Sequence, residues 1–202
     1  MIKNIVFDMG GVLIDIDFDK TLNRYFDEKY HQLILKEVFQ SSLWRDMDCG
    51  VKRVEDVIPV MLSKLPQELH SQVSEMVSNF YPYMPPLEYM EDFVIRLKKA
   101  GYKIYLLSNA TPRFFDEYQN IPALSYFDGF FISALYKLLK PQPEIYQAFC
   151  EKFNLMADEC FFIDDMAINI DGAKAFGMQG FVFDTKDVKA LEKELNANGV
   201  VF

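Results

Sequence analysis

The sequence predicts an α/β fold in which a parallel sheet carries helices on both faces and a small helical insert follows the first strand. Three observations predict it. Short β-branched and aromatic runs alternate with helical stretches through the C-terminal half, the pattern that builds parallel sheets. The stretch between the first two such runs shows only helical spacing. Three of the hydrophobic runs end in polar side chains, at the place where the ligand crevice of a parallel sheet opens.

The first run lies in Asn4-Ile-Val-Phe-Asp-Met-Gly-Gly-Val-Leu. Ile5, Val6 and Phe7 are too few and too β-branched for a helix and read as a buried strand. That strand ends in Asp8, and Gly10-Gly11 then let backbone approach whatever the carboxylate holds; a glycine in such a turn, Gly10 included, is free to take φ > 0. Asp15-Ile-Asp-Phe-Asp is an acidic connector. Helical spacing follows at Leu33, Ile34, Glu37, Val38 and Phe39, at Val54, Val57, Ile58, Met61 and Leu62, and at Val73, Met76, Val77 and Phe80. Leu43-Trp-Arg-Asp-Met-Asp-Cys-Gly50 reads as a tight loop between two of these helices. Tyr81-Pro-Tyr-Met-Pro-Pro is a rigid connector. The expected division is therefore a core of residues 1–15 and 86–202 and a helical insert of 16–85.

Beyond it, Leu87 to Ala100 is amphipathic and closes on Gly101. The units then alternate: strand 103–108, helix about 112–119, strand 129–132, helix 143–153, strand 160–164, helix 168–176 ending before Gly177, strand 179–183 and a terminal helix 187–197.

Composition narrows the function. With 50% hydrophobic and 25% charged residues the chain is ordinary globular material, and its formal charge of −9 argues against a general nucleic-acid binder. The charge does not forbid a phosphate substrate, because a bound divalent cation inverts the local field. Cys49, Cys150 and Cys160 are odd in number and widely spaced, which suits neither a disulfide framework nor a zinc site. No run of ~18 apolar residues suggests a membrane span. Met1-Ile-Lys-Asn leads straight into the first strand, so a cytoplasmic protein is expected. His31 and His70 lie away from every strand end and read as surface helix residues, so a Ser-His-Asp mechanism is not expected.

The chemistry gathers at the strand ends. Lys103-Ile-Tyr-Leu-Leu-Ser-Asn ends in Ser108 and Asn109, Cys160-Phe-Phe-Ile-Asp-Asp ends in Asp164 and Asp165, and Leu138-Leu-Lys-Pro-Gln-Pro-Glu-Ile-Tyr sets Lys140 just before a helix. Asp8, Asp164 and Asp165 would repel one another unless a cation sat between them, and hard oxygen ligands suit Mg²⁺. The alternative is that Asp165 caps the next helix and Asp164 faces water. Lys140 supplies a positive charge for a transferring phosphoryl group, Ser108 a hydroxyl and Asn109 an orienting amide. Asp8 could attack phosphorus to form an aspartyl-phosphate.

In order and spacing these four segments resemble the four motifs of the haloacid dehalogenase-like hydrolase superfamily. They are most similar to its small sugar-phosphate phosphatases of the alpha-D-glucose-1-phosphate phosphatase type and to the phosphatase domain of soluble epoxide hydrolase. The resemblance implies a Rossmann-like core, with the insert as a cap over the active site. It implies an Mg²⁺-dependent phosphatase of small phosphorylated metabolites, sugar phosphates first, working as a monomer or homodimer. It makes Asp8 the nucleophile, with Ser108 and Lys140 as catalytic partners. Asp8, the Gly10 carbonyl and Asp165 would hold the metal directly, with Asp164 as an outer or second ligand and Asn169 in support. Asn109, Gly11, Trp44 and Arg45 would meet the substrate, Trp44 as an aromatic platform and Arg45 as a donor. The bland alternative packs Trp44 inside the cap and leaves Arg45 solvated.

One departure stands out. The usual phosphatase pattern is Asp-x-Asp, and Gly10 occupies the second acid's place. Asp15 or Asp17 could substitute for it. Without an acid, substrates with good leaving groups such as sugar 1-phosphates are favoured. A metal-independent dehalogenase-type hydrolase, or an impaired binding protein, is the alternative.

Overall fold

In the computed structural model, which describes Met1 to Phe202 except the side chain of Tyr81, five strands form one sheet. They are β1 (Asn4–Phe7), β2 (Lys103–Ser108), β3 (Gly129–Ile132), β4 (Cys160–Asp164) and β5 (Gln179–Val182). Every pairing is parallel and the order is β3-β2-β1-β4-β5, so the first strand is the central one.

Residues 18–83 contain helices and no strand among the described residues. These are α1 (Phe18–Tyr25), α2 (His31–Ile34), α3 (Ser42–Asp48), α4 (Val54–Leu62) and α5 (His70–Ser78). Their apolar stripes close on one another: Leu22, Ile34, Val38, Val57, Met61 and Met76 are fully buried in a cluster of their own. The segment leaves and re-enters the sheet through paired connectors. Asp15 N–H donates to Pro85 O at 2.8 Å, Leu87 N–H donates to Leu13 O at 2.9 Å, and Ile14 bridges Pro86 in antiparallel fashion.

The later helices are α6 (Tyr89–Lys99), α7 (Phe114–Glu117), α8 (Pro143–Phe153), α9 (Ala167–Phe176) and α10 (Val188–Ala197). Alternation along the strands sorts them into two layers. Ile5, Phe7, Leu106 and Ile163 face α6 and α10 through Phe93, Leu97, Leu191 and Leu195. Val6, Leu107, Phe131 and Phe162 face α8 and α9 through Ile145, Phe149, Ile170 and Ala173.

The structure amends four expectations. The helix expected at 112–119 is only Phe114–Glu117, continued by a tighter turn to Asn120, because Pro112 and Pro122 bracket it. Residues 43–50 are not a loop: Ser42–Asp48 is α3, started by the Ser41 hydroxyl accepting from Leu43 N–H at 3.2 Å and ended at Gly50 with φ +70°. His31 and His70 are half-buried rather than superficial, each with Nε2 3.0 Å from a carbonyl, of Phe26 and Leu65 respectively. The positive φ in the glycine turn belongs to Gly11, at +68°, and not to Gly10. Among the described residues no helix is long and apolar enough to cross a membrane.

Candidate active site

Register and alternation build the site. Phe7 pairs with Leu106 on one side and Ile163 on the other, so the next residue, Asp8, emerges level with Asp164. Asp8 N–H continues the ladder to Ile163 O at 2.8 Å. Asp8 and Asp164 share strand parity with Val6 and Phe162, which places both carboxylates on the α8/α9 side of the sheet. Lys140, in the loop that leads into α8, reaches them from that side. Its Nζ lies 2.9 Å from Asp8 Oδ2 and 2.6 Å from Asp164 Oδ2, with the side chain almost wholly buried. The Lys140–Pro141 peptide is cis.

A buried lysine between two buried carboxylates is an electrostatic balance. Burial opposes the Lys140 ammonium, but Asp164 and Asp8 outweigh it and hold its pKa above the usual value. Burial dominates at Asp8, against the pull of Lys140, and lifts its pKa from 3.8 to about 7. Asp8 Oδ1 also accepts from Met9 N–H at 2.7 Å.

The two adjacent acids differ sharply. Asp164 is fully buried, and besides Lys140 it accepts from Met166 N–H at 2.8 Å and from Asn169 Nδ2 at 2.9 and 3.1 Å. Asp164 therefore binds the start of α9, the part that the alternative sequence reading gave to Asp165. Asp165 receives no hydrogen bond or ion pair from another side chain among the described residues, and burial and then Asp164 raise its pKa. It stands against Gly11, where a Cβ would come within 2.3 Å of Asp165 Oδ2. That approach requires glycine. Asp8, Asp164 and Asp165 each offer an oxygen, and these lie within 4.8 Å of one another. Hard oxygens in a tight cluster, one carboxylate of which has no side-chain partner among the described residues, fit a small divalent cation such as Mg²⁺.

Ser108 ends β2, is buried and lines the cavity beside Asp8. Asn109 also lines it, but its amide is turned to the Lys140 backbone: Oδ1 accepts from Lys140 N–H at 2.9 Å and Nδ2 donates to Lys140 O at 3.3 Å. In this geometry Asn109 fixes the lysine loop to the end of β2.

The cavity, about 350 Å³, lies between these strand ends and the helical segment. Trp44 lines it, packed between Phe39 and Phe80 with tilted rings and centroids 5.4 and 5.3 Å away. Arg45 is exposed and borders a smaller adjoining cleft with Trp44, Asp48, Asn109 and Lys140. Arg113 and Asp48 are among the cavity residues that escaped the sequence reading. Arg113 Nη2 pairs with Glu55 Oε1 at 2.7 Å and Nη1 donates to Ser78 O at 3.2 Å, tying the sheet domain to α4 and α5. Asp48, at the end of α3, faces Asp8 and Lys140, and burial and then the Asp8 charge raise its pKa well above 3.8. The only available signal was its place before Gly50 in the segment that already held Trp44 and Arg45.

Known proteins resemble this chain in sequence and in fold. A D-ribitol-5-phosphate phosphatase of Bacteroides thetaiotaomicron is 27% identical over 201 residues, covering 90% of this chain and 91% of its own. A sesquiterpene phosphatase of Aspergillus oryzae is 28% identical, covering 88% of each. Among solved structures, a haloacid dehalogenase family enzyme of B. thetaiotaomicron, in complex with magnesium and inorganic phosphate, superposes with a TM-score of 0.70 at 24% identity, over 90% of this chain and 94% of that one. The L-2-haloacid dehalogenase of Xanthobacter autotrophicus, with chloropropionic acid covalently bound, superposes with a TM-score of 0.68 at 20% identity, over 100% of this chain and 85% of that one. The family model for haloacid dehalogenase-like hydrolases matches residues 2–177, and with this fold behind the match, the chain belongs to that family of hydrolases.

Proposed function

We propose that the protein is an Mg²⁺-dependent phosphatase of small phosphorylated metabolites, acting through an aspartyl-phosphate on Asp8, with residues 16–85 as the cap over the site. The observation that carries this reading is the Lys140 ammonium held between Asp8 and Asp164 while Asp165 faces the cluster with no side-chain partner among the described residues. A dehalogenase-type mechanism without metal has no use for that third carboxylate.

In this reading Asp8, the Gly10 carbonyl and Asp165 would hold the cation, with Asp164 and Asn169 behind them. The cation would neutralise charge on the transferring phosphoryl group. Asp8 attacks phosphorus in line. Lys140 holds the phosphoryl oxygens and balances the carboxylate, and the Ser108 hydroxyl donates to the same group. Asn109 keeps Lys140 in place, Gly11 allows Asp165 to close in, and Trp44 and Arg45 meet the alcohol part.

Phosphatases of ribitol phosphate, glyceraldehyde phosphate and phosphorylated carbohydrates among the relatives favour a sugar phosphate. One observation favours a second class. Away from the acids the wall is largely apolar, with Phe18, Trp44, Met47, Val77, Phe80 and Phe114. Such a wall suits an apolar alcohol better than a polyol, whose hydroxyls need partners when buried.

The test is hydrolysis of p-nitrophenyl phosphate and of a panel of sugar and prenyl-type phosphates, with Mg²⁺ and with chelator. Turnover is expected only with metal, and Asp8→Asn lowers it by about 10³-fold or more. Near wild-type rates in Asp8→Asn would end the covalent mechanism, and metal-independent release of halide from 2-chloropropionate would replace it with the dehalogenase reading.

A further inference from the structure

Gly10 leaves the position two residues beyond the nucleophile without a carboxyl; a Cβ there would meet the terminal methyl of Ile16, with Cδ1 2.5 Å away. The connector acids do not replace it. Asp15 is paired with Lys186 and with Lys20, and the Lys186 hydrogen bond leads the influences that hold its pKa below the usual value. Asp17 caps α1, accepting from Lys20 N–H at 2.8 Å. Neither lines the cavity.

Asp48 does. It enters from the cap, while Asp8, Lys140 and Asp165 enter from the sheet and Arg113 and Glu117 from the α7 region. Arg113 is engaged by Glu55 and Ser78 O, and among the described residues no hydrogen bond or ion pair reaches the Asp48 carboxylate. Its backbone is nevertheless anchored to the sheet domain. The buried Ser133 hydroxyl donates to Asp48 O at 2.5 Å and accepts from Ala110 N–H at 2.9 Å. Two residues on, Gly50 lies so close to Ala134 that a Cβ would come within 2.1 Å of its carbonyl oxygen.

We propose that Asp48 is the general acid and base of the reaction, a carboxyl that the cap lowers onto the substrate's leaving oxygen in place of the acid missing at Gly10. This rests on the phosphatase reading above. Burial and then the Asp8 charge raise its pKa above the usual carboxyl value, the direction that favours a proton donor. As Asp8 Oδ bonds to phosphorus, the phosphorus–alkoxide bond breaks, its electron pair stays on the leaving oxygen, and the Asp48 proton passes to it. The alcohol departs. The Asp48 carboxylate then takes a proton from water as the water oxygen attacks phosphorus. The phosphorus–Asp8 bond breaks, its electron pair returns to the Asp8 carboxylate, inorganic phosphate leaves, and Asp48 is protonated again.

The test compares wild type and Asp48→Asn on an alkyl phosphate and on p-nitrophenyl phosphate, whose phenolate leaves unprotonated. The asparagine is isosteric and the anchoring carbonyl remains. The expected result is a loss of about 10²–10⁴-fold in kcat/KM for the alkyl ester and a much smaller loss for the aryl ester. The hydrolytic half-reaction slows as well, so a phosphorylated Asp8 accumulates and is seen by mass spectrometry. That adduct also reports a folded site. Equal losses on both esters, or none, with no trapped phosphoenzyme, would overturn the assignment and leave the phosphatase reading intact. A wild type that hydrolyses neither ester with Mg²⁺ would overturn both. Asp48→Glu should restore part of the alkyl rate, and a steep dependence of wild-type kcat/KM on leaving-group pKa would itself contradict a working acid.

Discussion

Proton and cation compete for Asp8, and the competition can be measured. With a pKa of about 7 in the metal-free protein, the carboxylate is ionised in roughly one molecule in eleven at pH 6 and ten in eleven at pH 8. If the ionised form is the ligand, apparent Mg²⁺ affinity should rise about tenfold between those pH values, nearly all of it below pH 7.5. The metal-free fold should run the other way. A carboxyl whose folded pKa exceeds its unfolded value contributes stability that is full below the unfolded pKa of about 3.8 and is lost as pH rises through 7, here about 4 kcal/mol. Mg²⁺ should therefore stabilise the protein more at pH 8 than at pH 6. Lys140 adds no slope in this window, because a lysine pKa held above its usual value keeps it charged throughout. The assay is isothermal titration with Mg²⁺ at pH 6, 7 and 8 in two buffers of different ionisation enthalpy, which also counts the proton released. An affinity flat across the range, with no proton released at pH 6, would refute the idea that Asp8 is both protonated in the resting site and a metal ligand.

The neighbouring acids should separate cleanly. Asp165→Ala should raise the Mg²⁺ needed for half-maximal activity by about tenfold or more with little change in melting temperature. Asp164→Ala, which strands Lys140 and frees the start of α9, should cost about 3–5 kcal/mol of stability on a denaturant curve. Gly50→Ala puts a Cβ against Ala134 O at φ +70°, and a loss of roughly 2–4 kcal/mol is expected, read as a fall in Tm of about 5–10 °C. An unchanged Tm would mean that the cap does not rest on the sheet domain there.

Much of this was legible because it is local. A β-branched run that ends in a carboxylate is a strand end by composition alone, and Ser108 and Asp164 read in the same way, while Lys140 is marked by its place just before a helix start. The parallel sheet followed from alternation. What was hidden depends on packing between distant segments. Residues 43–50 hold Trp44 and end in a glycine, which looks like a loop until Ser41 is seen capping a helix across them. Asp48 is one of many acids in the sequence, and only its docking on Ser133 distinguishes it. Asp15 looked available because Lys186, its partner, lies near the other end of the chain. The contrast between Asp164 and Asp165 is a matter of strand parity combined with Lys140, which the sequence supplies only once the strand end is placed to the residue.

The position of β1 has a bearing on how the protein is made. Its few residues leave the ribosome before those of the other four strands, yet Asn4 pairs with Lys103 on one side and Cys160 on the other. The cap's apolar cluster is complete by Val77 and can collapse while the strand that carries Asp8 is still unpaired. Closure of the sheet must wait for β4, across a long loop whose entropy is lost before any ladder bond forms, so folding of this half should be slow. Until then Ile5, Val6 and Phe7 form a short apolar segment with open edges, the kind that chaperones bind and that aggregates when synthesis outpaces closure. The strand at the centre of the catalytic sheet is thus the one that waits longest of the five for its neighbours, and the enzyme cannot begin to work before β4 has been synthesised.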